Sequence, residues 1–294
     1  FINGTKIGEG SLQSQSHYKY YDIREISSYL NQSLNTIAVI VNYVGNIPYT
    51  RGGFLAELVD EKGKIILATD ENWKVKQSKA WSSDTQFFRM AQYNPYQEFY
   101  DARQIPEGWT EQGFDDSNWR SSRIVDDGPW TYLLPRDIPY MTSKSVFSER
   151  IEKIGETIDI MNRMRSNDLS LKLSMNGKEL EHTKINEVDN LTQNDGMTVL
   201  RNSTKHREQE NFDGIYAPYI IIDFGKIITA YLELEIEGVE GGIIDIGYSE
   251  RLFNGEFNNS IESMFADRYV MKEGVQKYRP FTWKAFRYVK IQIH

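Results

Sequence analysis

The sequence predicts an all-β protein built as two antiparallel β-sandwich domains of jelly-roll-like form. Three observations carry that reading. Apolar and polar residues alternate with period two: "YLELEIEG" sets Leu232, Leu234 and Ile236 on one face and Glu233, Glu235 and Glu237 on the other, and "IIDIGYSE" and "FRYVKIQI" alternate in the same way. Such alternation marks a half-buried antiparallel strand. The breaks between runs carry turn chemistry, with Asn-Gly at Asn3, Asn176 and Asn254, "DEKG" at Asp60 and "EGG" at Glu240. Helical periodicity is confined to two short segments.

Taken in order, "FINGTKIG" reads as the end of a strand entering an Asn-Gly turn. A chain that opens in mid-strand without Met reads as an internal piece of a longer protein. In "YDIREISSYL", Asp22 as N-cap and Glu25 three residues on form a capping box, so a short helix or turn is expected with Ile23, Ile26 and Leu30 facing inward. "TIAVIVNYV" is a buried strand and far too short to span a bilayer. "PWTYLLPRDIPY" concentrates three of the eight prolines and separates two strand-rich halves, which places the domains at residues 1–138 and 139–294. "LSLKLSM" predicts a strand with Leu169, Leu171, Leu173 and Met175 on one face. Residues 176–214 are polar and patternless, and read as a surface insertion of hairpins and loops. "SIESMFADRY" is the second short helix candidate.

Composition narrows the function. The chain has 294 residues, a formal charge of -8 and a pI near 5.2, without the Lys/Arg cluster that a phosphate-binding surface needs. Nucleic acid and anionic membranes are therefore not expected as partners. There is no cysteine, which removes disulfides, thiolate metal sites and Cys nucleophiles. The four histidines, His17, His182, His206 and His294, are widely spaced and read as surface or loop residues rather than a metal cluster. No nucleophile elbow, P-loop, zincin or EF-hand motif is present. The compartment stays open, exported or cytoplasmic.

Two segments have the residue types of a sugar site, which pairs aromatic faces with fixed hydrogen-bonding groups. In "YVGNIPYTRGGF", a glycine-rich loop after a buried strand presents Tyr43, Asn46, Tyr49 and Arg51. In "YNPYQEFYDAR", Tyr96 is followed by Asp101 and Arg103, which alternation puts on one strand face within reach of a charge-assisted pair. Each segment has a plain architectural alternative, a loop between strands or a structural ion pair. The acid-rich "GFDDSNW" reads as a turn. Gly113 permits it, Asp116 or Ser117 caps backbone amides, and Phe114 and Trp119 bury beneath it.

The order of motifs resembles the N-terminal region of bacterial α-L-rhamnosidases. "INGTKIGEG", "YKYYDI", "LNTIAVIV", "TDENWKV", "EFYDAR" and "GFDDSNW" resemble that family's N-terminal, galactose-binding-like jelly roll. "IIIDFGKIITAYLELEIEG", "IDIGYSERL", "DRYVMKEG" and "RPFTWKAFRYVKIQI" resemble its second β-domain. The resemblance implies a non-catalytic region of a glycoside hydrolase whose catalytic carboxylates lie on a following (α/α) barrel, so no catalytic residue is assigned here. The implied partners are that C-terminal catalytic domain and a rhamnose-containing glycan. No cofactor or metal is expected. Calcium is the one ion the resemblance raises, since some members hold a calcium-dependent rhamnose site, but the loop around Asn46 lacks an Asp-Asn pair suited to a hard cation. A free-standing carbohydrate-binding module or lectin, and the sugar-binding region of a β-galactosidase-type enzyme, remain as alternatives.

Overall fold

A computed structural model describes residues 1–10, 18–43, 52–85, 97–125, 132–159, 169–193, 195–202, 215–259 and 265–294. The first half of the chain carries β1 (Tyr18–Tyr21), β2 (Glu57–Val59), β3 (Ile65–Ala68), β4 (Lys74–Val75), β5 (Glu98–Asp101), β6 (Arg120–Ser121) and β7 (Tyr132–Pro135). The second half carries β8 (Arg150–Asp159), helix α1 (Leu169–Leu173), β9 (Lys184–Asn186), helix α2 (Asn190–Gln193), β10 (Val199–Arg201), β11 (Ile215–Ala230), β12 (Leu234–Gly238), β13 (Ile243–Ser249), β14 (Leu252–Phe253), β15 (Glu256–Phe257), β16 (Ala266–Val270), β17 (Gly274–Tyr278) and β18 (Lys284–Ile293). The all-β expectation holds, and the contacts divide the chain into two units, residues 1–77 with 106–143 and residues 78–105 with 144–294. The division read from the sequence kept residues 78–105 in the first domain, whereas in the structure their strand β5 lies in the large sheet of the second unit.

The first unit is made of two-stranded pairs among its described residues: β1 with β7, β2 with β3, and β4 with β6. The β1–β7 pair is parallel, unlike the antiparallel arrangement expected throughout. Its N-terminal turn is the one the sequence predicts. Asn3 and Gly4 both take positive φ, 48° and 83°, and Ile2 and Thr5 exchange backbone hydrogen bonds across them. That backbone needs an Asn-Gly pair, because most L residues strain there. The Asn3 side chain then accepts from the Thr36 amide and donates to the Tyr29 carbonyl, tying the turn to a second segment. The helix expected from "YDIREISSYL" reduces to a single 3-10 turn over Ser27–Tyr29. Asp22 does not cap it. Its carboxylate takes a two-pronged grip on Arg136 at 2.6 and 3.0 Å, and a long-range ion pair of this kind outcompetes a local cap.

The second unit is built on a six-stranded sheet ordered β5-β16-β13-β18-β11-β8, antiparallel except for the β5–β16 pair. Its registers place Ile220, Ile222, Ile244, Ile246, Tyr248 and Val289 on one face, where Leu232, Phe286 and Tyr278 close the main core. The antiparallel β12–β17 pair packs there through Leu234 and Ile236, and turns Glu235 and Glu237 outward as the alternation predicts. The opposite face is where the sequence reading fails. "IIDIGYSE" and "FRYVKIQI" were expected to be half-buried, yet Asp245, Ser249, Lys290 and Gln292 are buried too. This face is covered by α1 and by the β14–β15 hairpin, with Leu169, Leu173 and Ala266 in one small cluster and Tyr219, Ile221, Phe257 and Tyr288 in another.

"LSLKLSM" is correspondingly helix α1, not a strand. Leu169 and Leu173 stand four residues apart on one helical face and are buried, while Leu171, which alternation would have buried beside them, is 57% exposed. The polar residues between them are what a strand could not have satisfied. Lys172 donates to Asp245 at 3.0 Å, and Ser170 accepts from Gln97 at 3.1 Å. The polar stretch after α1 is partly the expected hairpin, β9 paired antiparallel with β10, with one turn of α2 in its loop. From "SIESMFADRY", residues 260–264 lie outside the described residues, and residues 266–270 are strand β16.

Candidate functional site

The residues nominated from the sequence fall in both units. Tyr43 belongs to the first, is 51% exposed, and lies so close to Gly52 that a Cβ there would meet its ring at 2.7 Å. Asn46, Tyr49, Arg51 and Tyr96 lie outside the described residues. Asp101 and Arg103 belong to the second unit, and the structure brings them together. Asp101 caps the 3-10 turn Ala102–Gln104 by accepting from the Arg103 amide, and its two oxygens take the guanidinium Nε and Nη2 at 2.8 Å each. The Arg103 hydrogen bonds hold the Asp101 carboxyl below its usual range. With both oxygens engaged, the pair is an architectural clasp first. In "GFDDSNW" the capping carboxylate is Asp115, which accepts from the Ser117 amide at 3.0 Å, and Phe114 and Trp119 meet edge to face while remaining half-buried.

Sequence reasoning missed the buried charged centres of the second unit, of which three bear on chemistry. On the apolar face, Glu98 and Asp267 are 2% and 0% exposed. Glu98 accepts from Trp81 Nε1 at 3.0 Å and from the Phe281 amide at 2.6 Å. Asp267 accepts from the Glu98 amide, from Tyr248 and, at 2.6 Å, from Lys284. Burial, and then the Asp267 charge, push the Glu98 carboxyl up to about 7. Glycoside hydrolysis uses a pair of carboxyl groups open to the substrate. Here every oxygen is spent on a protein donor and the centre is sealed from solvent, so the pair holds strands together instead of meeting a substrate.

On the polar face, Asp245 binds Arg268 through both oxygens at 2.7 and 2.9 Å, and also meets Lys172 and His294 at 3.0 Å. Burial opposes its ionisation, but the bond from His294 and the charges of His294, Lys172 and Arg268 outweigh that and hold the carboxyl far below its ordinary value. His294 is thus a buried partner and not the surface residue expected. Lys290 donates to the carbonyls of Leu173 and Met175, and burial lowers its ammonium to about 7. The signal for these groups was available in the sequence: a lone Asp245 or Lys290 within an apolar run differs from the row of three glutamates in "YLELEIEG", which stays hydrated.

At the third centre, Glu156, Glu181 and His182 bring donor atoms within 4.8 Å of one another. Glu156 accepts from the His182 amide, the Thr183 amide and the Thr183 hydroxyl. Burial works against its charge, and the bonds from His182 and Thr183 overcome it and hold the carboxyl at about 2. The Lys178 ammonium lies 2.7 Å from Glu181 and 3.6 Å from Glu156, so the cation of this cluster is a side chain, and the donor set is spent internally. The His182 ring stacks on Tyr216 with centroids 3.9 Å apart.

A two-faced β-sheet unit, joined in one chain to a turn-rich β unit and with its described buried carboxylates engaged by protein donors, defines a two-unit all-β region. Residues 1–142 match the family model of the α-L-rhamnosidase N-terminal domain, and residues 217–294 match that of the bacterial α-L-rhamnosidase concanavalin-like domain. The chain carries, in order, the N-terminal and the concanavalin-like β-domains of the bacterial α-L-rhamnosidase family. Among solved structures it is similar to a rhamnosidase of Bacillus sp. GL1, with a TM-score of 0.69 and 16% identity over 100% of this chain and 48% of that one. It is also similar to an α-L-rhamnosidase of Dictyoglumus thermophilum, with a TM-score of 0.54 and 19% identity over 99% of this chain and 27% of that one. A third likeness is to the Streptomyces avermitilis α-L-rhamnosidase, solved with L-rhamnose, at a TM-score of 0.51 and 18% identity over 99% of this chain and 24% of that one. The chain therefore spans about half or less of the length of these relatives. No curated protein sequence matches it.

Proposed function

We propose that this chain is the non-catalytic part of an α-L-rhamnosidase, which supports a catalytic domain of the same polypeptide and contacts the rhamnose-bearing glycan that domain cleaves. One observation carries the reading: two rhamnosidase family models match in order on a chain whose buried carboxylates, among the described residues, are all committed to protein donors. Hydrolysis needs one carboxyl to protonate the leaving oxygen and another on the far side of the bond, both open to substrate. The chain alone should release no aglycone from an aryl α-L-rhamnoside above the buffer blank, while the full-length gene product should hydrolyse it. Turnover by the chain alone, or none by the full-length product, overturns the reading. The proposal assigns the region no metal. Chelation with EDTA should leave its thermal midpoint where it was, since the Lys178 ammonium already serves as the cation of the three-donor cluster at Glu156.

A further inference from the structure

We propose that the cleft between the end of α1 and the β14–β15 hairpin is a binding site for a neutral saccharide unit. The cleft has a volume of about 570 Å³, within the range of small-molecule sites, and its lining includes Asn176, Phe253, Asn254, Glu256, Phe257 and Asn258. Aromatic carbon combined with amide and carboxylate groups is the chemistry that sugars need, with C–H faces packing on a ring and hydroxyls donating and accepting.

The walls are fixed in advance of any ligand. Ser174, on one wall, accepts from the Asn259 amide and donates to the Asn259 side-chain oxygen, both at 3.0 Å, which staples the end of α1 to the segment just after the hairpin. Ser249 holds the Arg251 and Asn258 carbonyls, fixing the hairpin base. From below, the buried Lys290 ammonium holds the carbonyls of Leu173 and Met175. A preformed wall spares the ordering cost that weak sugar binding cannot bear. The hairpin tip is equally defined, because Asn254 and Gly255 take φ of 53° and 81° in the Asn-Gly turn the sequence predicts.

Charge decides the ligand class. Among the described lining residues the one carboxylate, Glu256, is matched by Lys153, whose ammonium lies 2.8 and 2.9 Å from its two oxygens. The described lining therefore offers no net charge to an anion or a cation. A paired carboxylate still keeps lone pairs for a hydroxyl donor. The Arg251 guanidinium lies 4.6 Å from the Phe253 ring centroid, which holds that ring in place. This site deepens the proposed function, and rests on it only for the expectation that the saccharide carries rhamnose.

The test titrates the purified chain with methyl α-L-rhamnoside and, in parallel, with methyl α-D-glucoside, read by saturation-transfer NMR and calorimetry. Two variants remove cleft amides without disturbing the fold. Asn254→Gly keeps the positive-φ turn while deleting the amide, and Asn176→Ala changes an exposed residue. A dissociation constant on the order of millimolar is expected, weakened about three- to tenfold by each variant through the loss of a hydrogen bond, with the thermal midpoint unchanged. Glucoside binding that responds to both variants also supports a saccharide cleft, and tells against the rhamnose reading alone. Binding indifferent to both variants, or no binding of either glycoside, overturns the proposal, whereas the rhamnosidase reading stands or falls on hydrolysis by the full-length product.

Discussion

Glu98 and Lys290 are each buried against their charge, one on each face of the same sheet, and they titrate in opposite senses. Glu98 faces Asp267, Lys284 and the hydroxyls of Tyr248 and Tyr278, and its carboxyl is pushed up to about 7, chiefly by burial. A carboxyl whose folded affinity exceeds its unfolded one stabilises the fold while protonated, so that contribution is lost as pH rises from its ordinary 4.5 through about 7. Lys290 is lowered by burial from 10.5 to about 7, so the unfolded state binds more protons in that window and stability is regained as pH rises through it. Denaturation midpoints of Glu98→Gln should lose the decline between pH 5 and neutrality, and those of Lys290→Met should lose the recovery above it. Parallel pH profiles for wild type and either variant would remove that residue from the account. Packing sets a sharper limit at Gly177, where a Cβ would lie 2.2 Å from the Tyr219 ring and 2.8 Å from the Glu156 carbonyl. Gly177→Ala should destabilise the second unit by about 1–3 kcal/mol, the usual cost of overpacking, read as a lowered urea midpoint with an unchanged slope.

At the scale of elements, legibility followed the ways a residue can be satisfied. The Asn3-Gly4 and Asn254-Gly255 turns were readable, because positive φ at two successive residues selects that dipeptide. The outward glutamates of β12 were readable, because hydrated rows have one solution. Asn176-Gly177 looked the same and is different: neither residue takes positive φ, and Gly177 is small to admit Tyr219. Helix α1 was illegible for a related reason. "LSLKLSM" alternates, and only the partners of Ser170 and Lys172, both distant in sequence, select the helix. Of the nominated sugar residues, the Asp101–Arg103 clasp was legible from spacing. The cleft beside α1 was not, because its walls are joined through Ser174 and Asn259, 85 residues apart. If α1 is held by its buried side chains, Leu173→Ala should cost about 2–5 kcal/mol and Leu171→Ala almost nothing. Thermal melts that rank the two alike would contradict the helical assignment.

Across the whole molecule, burial is distributed unevenly between the two units. Among the described residues, the first unit buries only Ile2 and Ala38 of its hydrophobic side chains, while Ile66, Tyr132 and Leu134 of its strands are exposed. The second unit buries both faces of a six-stranded sheet, with Tyr219, Ile246, Tyr269 and Phe286 sealed inside. Buried apolar area contributes about 25 cal/mol per Å², so the opening free energies of the two units should differ even in one polypeptide. Local opening reports this difference, because amides in elements with few buried contacts exchange through small fluctuations, and those of central strands exchange only on global unfolding. β13, β18 and the paired part of β11 lie between neighbours on both sides, and their peptides should be the slowest to take up deuterium. Peptides covering β1–β3 and β7, each paired with a single strand, should label first. Hydrogen exchange followed by mass spectrometry reads both directly. Protection of β2 and β3 equal to that of β18 would show that the first unit draws its stability from a surface these buried residues do not include.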